Sequence, residues 1–166
     1  MPLIKKILIL LFFFTSFAQA ENLKKIWKFK DWEAILIIYD AEKVCFAQSK
    51  PILQSPKDST REARLFVTFR PNDKISDEIS TTSGYEYNIQ NTIRAKSGKK
   101  KYKFDIVQES FAWIADNKVE KKMIKTMKKG SRIMVTGYNQ SGSQTIDHYS
   151  LMGFTKAYNS AKQSWT

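Results

Sequence analysis

Between Met127 and Tyr158 the sequence leaves room for little but a helix end, two strands and a second helix. Gly130 closes a lysine-rich segment where a C-terminal cap belongs. Ser131 to Tyr138 then sets Ile133 and Val135 against Arg132, Thr136 and Gly137, the period of a strand with a buried face, with Met134 breaking the alternation. Asn139, Gln140, Ser141, Gly142 and Ser143 tolerate positive φ, and Thr145 to Phe154 is again rich in β-branched and aromatic types. That order predicts a β-hairpin.

The chain before it reads in the same way. Asp31 to Tyr39 is apolar almost throughout and suits a strand buried on both sides, and Asp40 to Lys43 turns it back into Val44 to Gln48. Pro51 and Pro56 bracket a polar loop that runs to Thr60. Ala63 to Arg70, Glu78 to Thr82, Tyr87 to Ala95, Tyr102 to Val107 and Phe111 to Ile114 are further short strands, with Lys96 to Lys99 as a hairpin turn. Asn117 and Glu120 have capping-box spacing. Val119, Met123, Ile124 and Met127 share one face of the helix that follows, and lysines fill the rest. Thr155 to Gln163 predicts a short terminal helix over the sheet edge. Together these elements make a mainly β fold, an antiparallel β-sandwich or open barrel of about eight to ten short strands with one inserted helix and a short C-terminal helix.

Residues 1–20 have the form of a signal peptide. Lys5 and Lys6 precede the apolar run Ile7 to Phe14, and Ala18-Gln19-Ala20 offers a small-x-small cleavage site. The run is shorter than the roughly 20 apolar residues that a spanning helix needs. Glu21, not cysteine, follows the cleavage site, so no lipid anchor is expected there. Residues 21–166 are then a single domain bound for the periplasm or the exterior, without a transmembrane segment. A domain of this size buries about 68–70% of its unfolded surface and can fold without disulfides. Cys45, the only cysteine, lies between Val44 and Phe46 and reads as a small buried hydrophobe. Glu21 to Lys30 reads as a short amphipathic arm. Its Trp27 and Phe29, with Trp165, either pack on the sheet or form an exposed contact surface, and packing is the preferred reading.

Catalytic chemistry is hard to find. His148, the only histidine, stands between Asp147 and Tyr149 with Ser150 nearby. Strand alternation puts Asp147 on the face away from His148 and Ser150, so the acid cannot orient the imidazole. One Cys and one His make no metal set, and no glycine-rich phosphate loop is present, so no cofactor is expected. Charge is the positive signal. The formal net charge is +12, and all but five of the 28 basic residues are lysine. They cluster at Lys96, Lys99, Lys100, Lys101 and Lys103 on one predicted hairpin, and at Lys121, Lys122 and Lys125 among the helix lysines. Such a surface attracts anionic partners through salt-sensitive fields; the bland alternative is a set of ordinary solvated faces. For an exported chain the candidates are lipid head groups, acidic glycans and acidic proteins, and nucleic acid does not fit that compartment.

Gly130-Ser131-x-x-Met134-Val135-x-Gly137, followed by Gly142-Ser143-x-Thr145-x-Asp147-x-Tyr149-Ser150-Leu151-x-Gly153-Phe154-Thr155-x-Ala157, resembles the C-terminal signature of the invasion-associated locus B family of bacterial envelope proteins. Val44 to Pro51, Phe66 to Pro71, Glu78 to Tyr85 and Ala112-Trp113 follow that family's order upstream. The resemblance implies a small secreted β-rich domain, linked in some pathogens to host-cell invasion, with no family-wide catalytic residues or cofactor. Members often carry a second cysteine near the C-terminus, where this chain has none. Three functions are carried forward: a non-enzymatic exported protein that binds a partner at the envelope, for invasion or envelope maintenance; a basic module for anionic lipid or glycan; and an envelope hydrolase using His148 and Ser150.

Overall fold

A two-residue period governs most of the chain, and the computed structural model, which describes residues 22–57 and 60–166, contains twelve strands and two helices. The strands are β1 (Leu23–Phe29), β2 (Trp32–Tyr39), β3 (Glu42–Ser49), β4 (Leu53–Ser55), β5 (Arg64–Arg70), β6 (Ile75–Thr82), β7 (Ile93–Ser97), β8 (Lys100–Phe104), β9 (Ile106–Gln108), β10 (Phe111–Trp113), β11 (Arg132–Tyr138) and β12 (Gln144–Ser150). Helix α1 (Asn117–Lys129) precedes β11, and α2 (Phe154–Gln163) follows β12. The predicted signal peptide lies outside the described residues.

Seven strands pair in the order β1-β2-β3-β5-β6-β10-β9 and five in the order β4-β12-β11-β7-β8, all antiparallel. Neither sheet closes on itself, so of the two expected architectures the sandwich is the one found. Leu65, Val67, Phe69 and Ile79 from the larger sheet face Ile133, Val135 and Tyr149 from the smaller, all fully buried. Each such side chain contributes about 1.5–3 kcal/mol by leaving water. Trp32 ties the layers together, its Nε1–H donating to the Ser150 carbonyl at 2.8 Å.

Five expectations need correction, the last of them at the cap of α1. The arm at Glu21 to Lys30 contains β1, paired with β2 from Leu23↔Ile38 to Phe29↔Trp32; lysines at 24, 25 and 28 mask its period. Because β1 extends the sheet, β2 and β3 are interior strands. Helix α2 therefore lies on their face rather than at an edge, burying Phe154, Ala157, Tyr158 and Ala161. The loop bracketed by prolines includes β4, which pairs with β12. Tyr87 to Thr92 is not strand but irregular chain with one bridge, Tyr87↔Asn139. The Asn88 side chain accepts from the Gln90 N–H at 3.0 Å, a local bond that competes with a ladder, and Ile89 is 80% exposed.

Helix α1 is capped by Asp116, whose carboxylate accepts from Lys118 N–H at 2.8 Å, and not by Asn117. Glu120 does not complete a capping box. It turns inward, where its two oxygens accept from the Ile79 N–H at 2.8 Å and the Asn117 amide at 3.0 Å. Met123, Ile124 and Met127 are buried as the helical period requires. Lys128 stays exposed but sets its ammonium 4.0 Å over the Tyr158 ring, and the Tyr158 hydroxyl donates to Asp77 at 2.6 Å. No helix among the described residues is long and apolar enough to cross a membrane.

Candidate functional site

The two basic clusters, apart in sequence, meet in space. Edge strand β8 brings Lys100 and Lys101 beside α1, which supplies Lys122, Lys125 and Lys129; together with Tyr102 and Thr126 they line a groove of about 460 Å3. Its floor is fixed by the Tyr102 hydroxyl, which bonds Thr126 Oγ1 at 2.6 Å. Lys122, Lys125 and Lys129 fall in one stripe because they are spaced i, i+3, i+7. No carboxylate lines the groove, and among the described residues none of these five lysines forms an ion pair.

The basic surface continues around β8. Register places Lys96 opposite Lys101 and Arg94 opposite Lys103, two adjacent like-charged cross-strand pairs. Such pairs destabilise a sheet unless something anionic lies over them. Lys103 alone has a partner, Asp105 at 3.8 Å. Of the lysines singled out from sequence, Lys100, Lys101, Lys122 and Lys125 are brought together. Lys99 at the turn and Lys121 on the helix line no part of the groove, and neither does Lys103, although it shares the outer face of β8 with Lys101. Tyr102 and Arg94 were missed, and Lys129 closes the basic helix run from Lys118 but was not among the lysines singled out.

His148 and Ser150 sit differently. Asp147 is fully buried on the opposite face of β12 from His148 and is held by Arg61 and Gln54. Ser150 Oγ accepts from Met152 N–H at 3.2 Å, and His148 Nδ1 has no hydrogen-bond partner. Acid, imidazole and hydroxyl are thus not arrayed as a relay. Cys45 is buried, and burial pushes its thiol up, with Lys43 opposing. Among the described residues no three His, Cys, Asp or Glu side chains gather in a metal-binding group.

A larger hollow of about 580 Å3 lies between Arg70, Glu78, Trp113 and Asn117. Its one arginine is already engaged: Arg70 is bidentate to Glu78 at 2.8 and 2.9 Å and also bonds Asp73 at 3.1 Å. Volume alone therefore does not make it the better candidate. The unpaired charge lies over α1 and β8.

Comparison with known proteins agrees with the architecture. A family model described as Invasion associated locus B (IalB) protein matches residues 37–162. The crystal structure of invasion associated protein B from Bartonella henselae is similar, with a TM-score of 0.58 and 12% identity, over 84% of this chain and 95% of that one. At that identity the likeness speaks for the fold alone. No curated protein matches the sequence.

Proposed function

Since the chain belongs to the invasion associated locus B family, we propose that it is an exported, non-enzymatic protein that acts at the cell envelope or outside it by binding, with the α1–β8 groove as the contact for an anionic partner. The observation that carries this reading is the convergence of Lys100, Lys101, Lys122, Lys125 and Lys129 on one groove without a carboxylate. Lysine is a compact charge and not a bidentate fork, so the fit is to a surface of distributed negative charge, a lipid head-group layer or an acidic glycan, more than to one oriented phosphate. A hydrolase built on His148 and Ser150 has less support, because Asp147 is committed to Arg61.

Binding of the purified protein to vesicles rich in phosphatidylglycerol and to a sulfated glycan tests the reading. Affinity is expected to fall steeply between about 0.05 and 0.5 M salt. It should drop about tenfold or more when Lys122→Glu and Lys125→Glu are combined. Binding indifferent to salt, or unchanged by the double reversal, would overturn it. Fractionation with intact mass measurement addresses export, which requires a periplasmic or secreted species lacking residues 1–20. An envelope phenotype lost in His148→Ala would favour the hydrolase instead.

A further inference from the structure

Strand β1 is an outer strand of the larger sheet, paired among the described residues only with β2. In an antiparallel pair half of a strand's N–H and C=O groups point away from its neighbour, so β1 carries an unpaired backbone row. It lies before the family-matched region, which begins at residue 37. The strand is seven residues long and presents apolar side chains to solvent: Leu23 is 36% exposed, Ile26 47% and Trp27 37%. Lys24 and Lys28 flank Ile26 on one face, and Lys25 lies between Leu23 and Trp27 on the other.

The lysines decide what can add to this edge. In the fully overlapped two-fold pairing of β1 with a second copy, Ile26 meets its own copy and Lys24 faces Lys28 twice. Sliding the pairing one step sets Lys25 against Lys25 in one direction; in the other it centres on Trp27 and could bring Lys24 only against Lys30, which lies past the strand end with φ of +55°. Two of the three registers nearest full overlap therefore oppose like charges, and the third gives no lysine of β1 an opposite charge, which disfavours self-pairing. A foreign strand with acids opposite Lys24, Lys25 and Lys28 and apolar residues opposite Leu23, Ile26, Trp27 and Phe29 meets no such penalty. We propose that the β1 edge is a docking site for an extended acidic segment of a partner protein, which joins the sheet as an added antiparallel strand. This inference is independent of the α1–β8 groove.

The probe is a blocked heptapeptide, Val-Glu-Val-Val-Glu-Glu-Val, complementary to Leu23–Phe29 in antiparallel order. It is expected to protect the amides of residues 22–30 from hydrogen exchange, whereas the same peptide with lysine for glutamate gives no protection. Lys24→Glu combined with Lys28→Glu should weaken this protection about tenfold or more. Lys122→Glu combined with Lys125→Glu should leave it intact, which separates the edge from the groove. A second measurement uses no peptide: Lys24→Glu alone sets opposite charges across the centred two-fold register, so this variant should sediment as a dimer where the wild-type protein does not. Protection that is absent, that survives the 24/28 reversal or that maps to α1 would overturn the proposal. So would a wild-type dimer with β1 protected.

Discussion

Arg61 grips both oxygens of the Asp147 carboxylate, with Nη2 2.6 Å from Oδ1 and Nη1 3.1 Å from Oδ2, across 86 residues of sequence. The side chains are 7% and 0% exposed. Gln54 adds a bond to Oδ1 at 3.2 Å, and Arg61 also donates to the Ser83 carbonyl at 2.7 Å. One cation thus joins the segment after β4, the end of β6 and the middle of β12. Asp147→Ala or Arg61→Ala strands the other charge in the interior and is expected to cost about 3–5 kcal/mol in chemical denaturation. Replacing both with apolar residues of similar volume should cost much less than the two single changes summed. A loss under about 1 kcal/mol for either single variant would show that water reaches the pair.

Two buried tyrosines in the same region make opposite predictions. Tyr87 bonds Ser83 Oγ at 2.9 Å, whereas the Tyr149 hydroxyl finds no partner. Burial pushes both phenols up, with Asp147 adding to the effect at Tyr149. Tyr87→Phe should destabilise by about 1–3 kcal/mol, and Tyr149→Phe should be neutral or stabilising. Equal losses in the two variants would contradict this assignment.

Glu120 makes stability depend on pH in an unusual direction for a carboxylate. Burial raises its pKa, reinforced by Glu78 and Asp77 and opposed by the Ile79 N–H and the Asn117 amide. A carboxyl raised on folding stabilises fully below its unfolded value, about 4.3, and that contribution is lost as pH rises through the higher folded value. Relative to Glu120→Gln, the wild-type protein should therefore lose stability as pH rises above the unfolded value of about 4.3. Denaturation midpoints that run parallel across that range would rule the effect out.

At Gly153 two demands coincide. Its φ is +92°, and a Cβ there would run into the Phe29 carbonyl. Gly153→Ala should cost about 1–3 kcal/mol or more and loosen β1 first, read as faster amide exchange at residues 23–29. Uniform loss of protection across both sheets would mean that the contact does not hold β1 in particular.

Local chemistry was legible in the sequence, and juxtaposition was not. The β11–β12 hairpin and the Met123, Ile124 and Met127 face of α1 follow from period and turn residues, and both are found. Each lysine cluster was visible too, but their meeting at Tyr102 depends on which strand ends the smaller sheet, and strand order leaves no local trace. Glu120 was read as part of a cap because its spacing fits one. Just past β10 the Ile114 N–H still donates to the Ile79 carbonyl at 3.3 Å, while the buried Ile79 N–H donates to the Glu120 carboxylate at 2.8 Å. The Arg61–Asp147 clamp is invisible for the same reason of distance, and β1 was obscured by lysines that interrupt its apolar rhythm.

The seam between β4 and β12, where Leu53 pairs with His148, has a temporal consequence. Trp32 likewise finds its acceptor only at Ser150. A nascent chain emerging from the ribosome cannot seal its first third until almost all of its length has been made. The β4 seam and the Trp32 hydrogen bond are thus among the last native contacts that synthesis makes available.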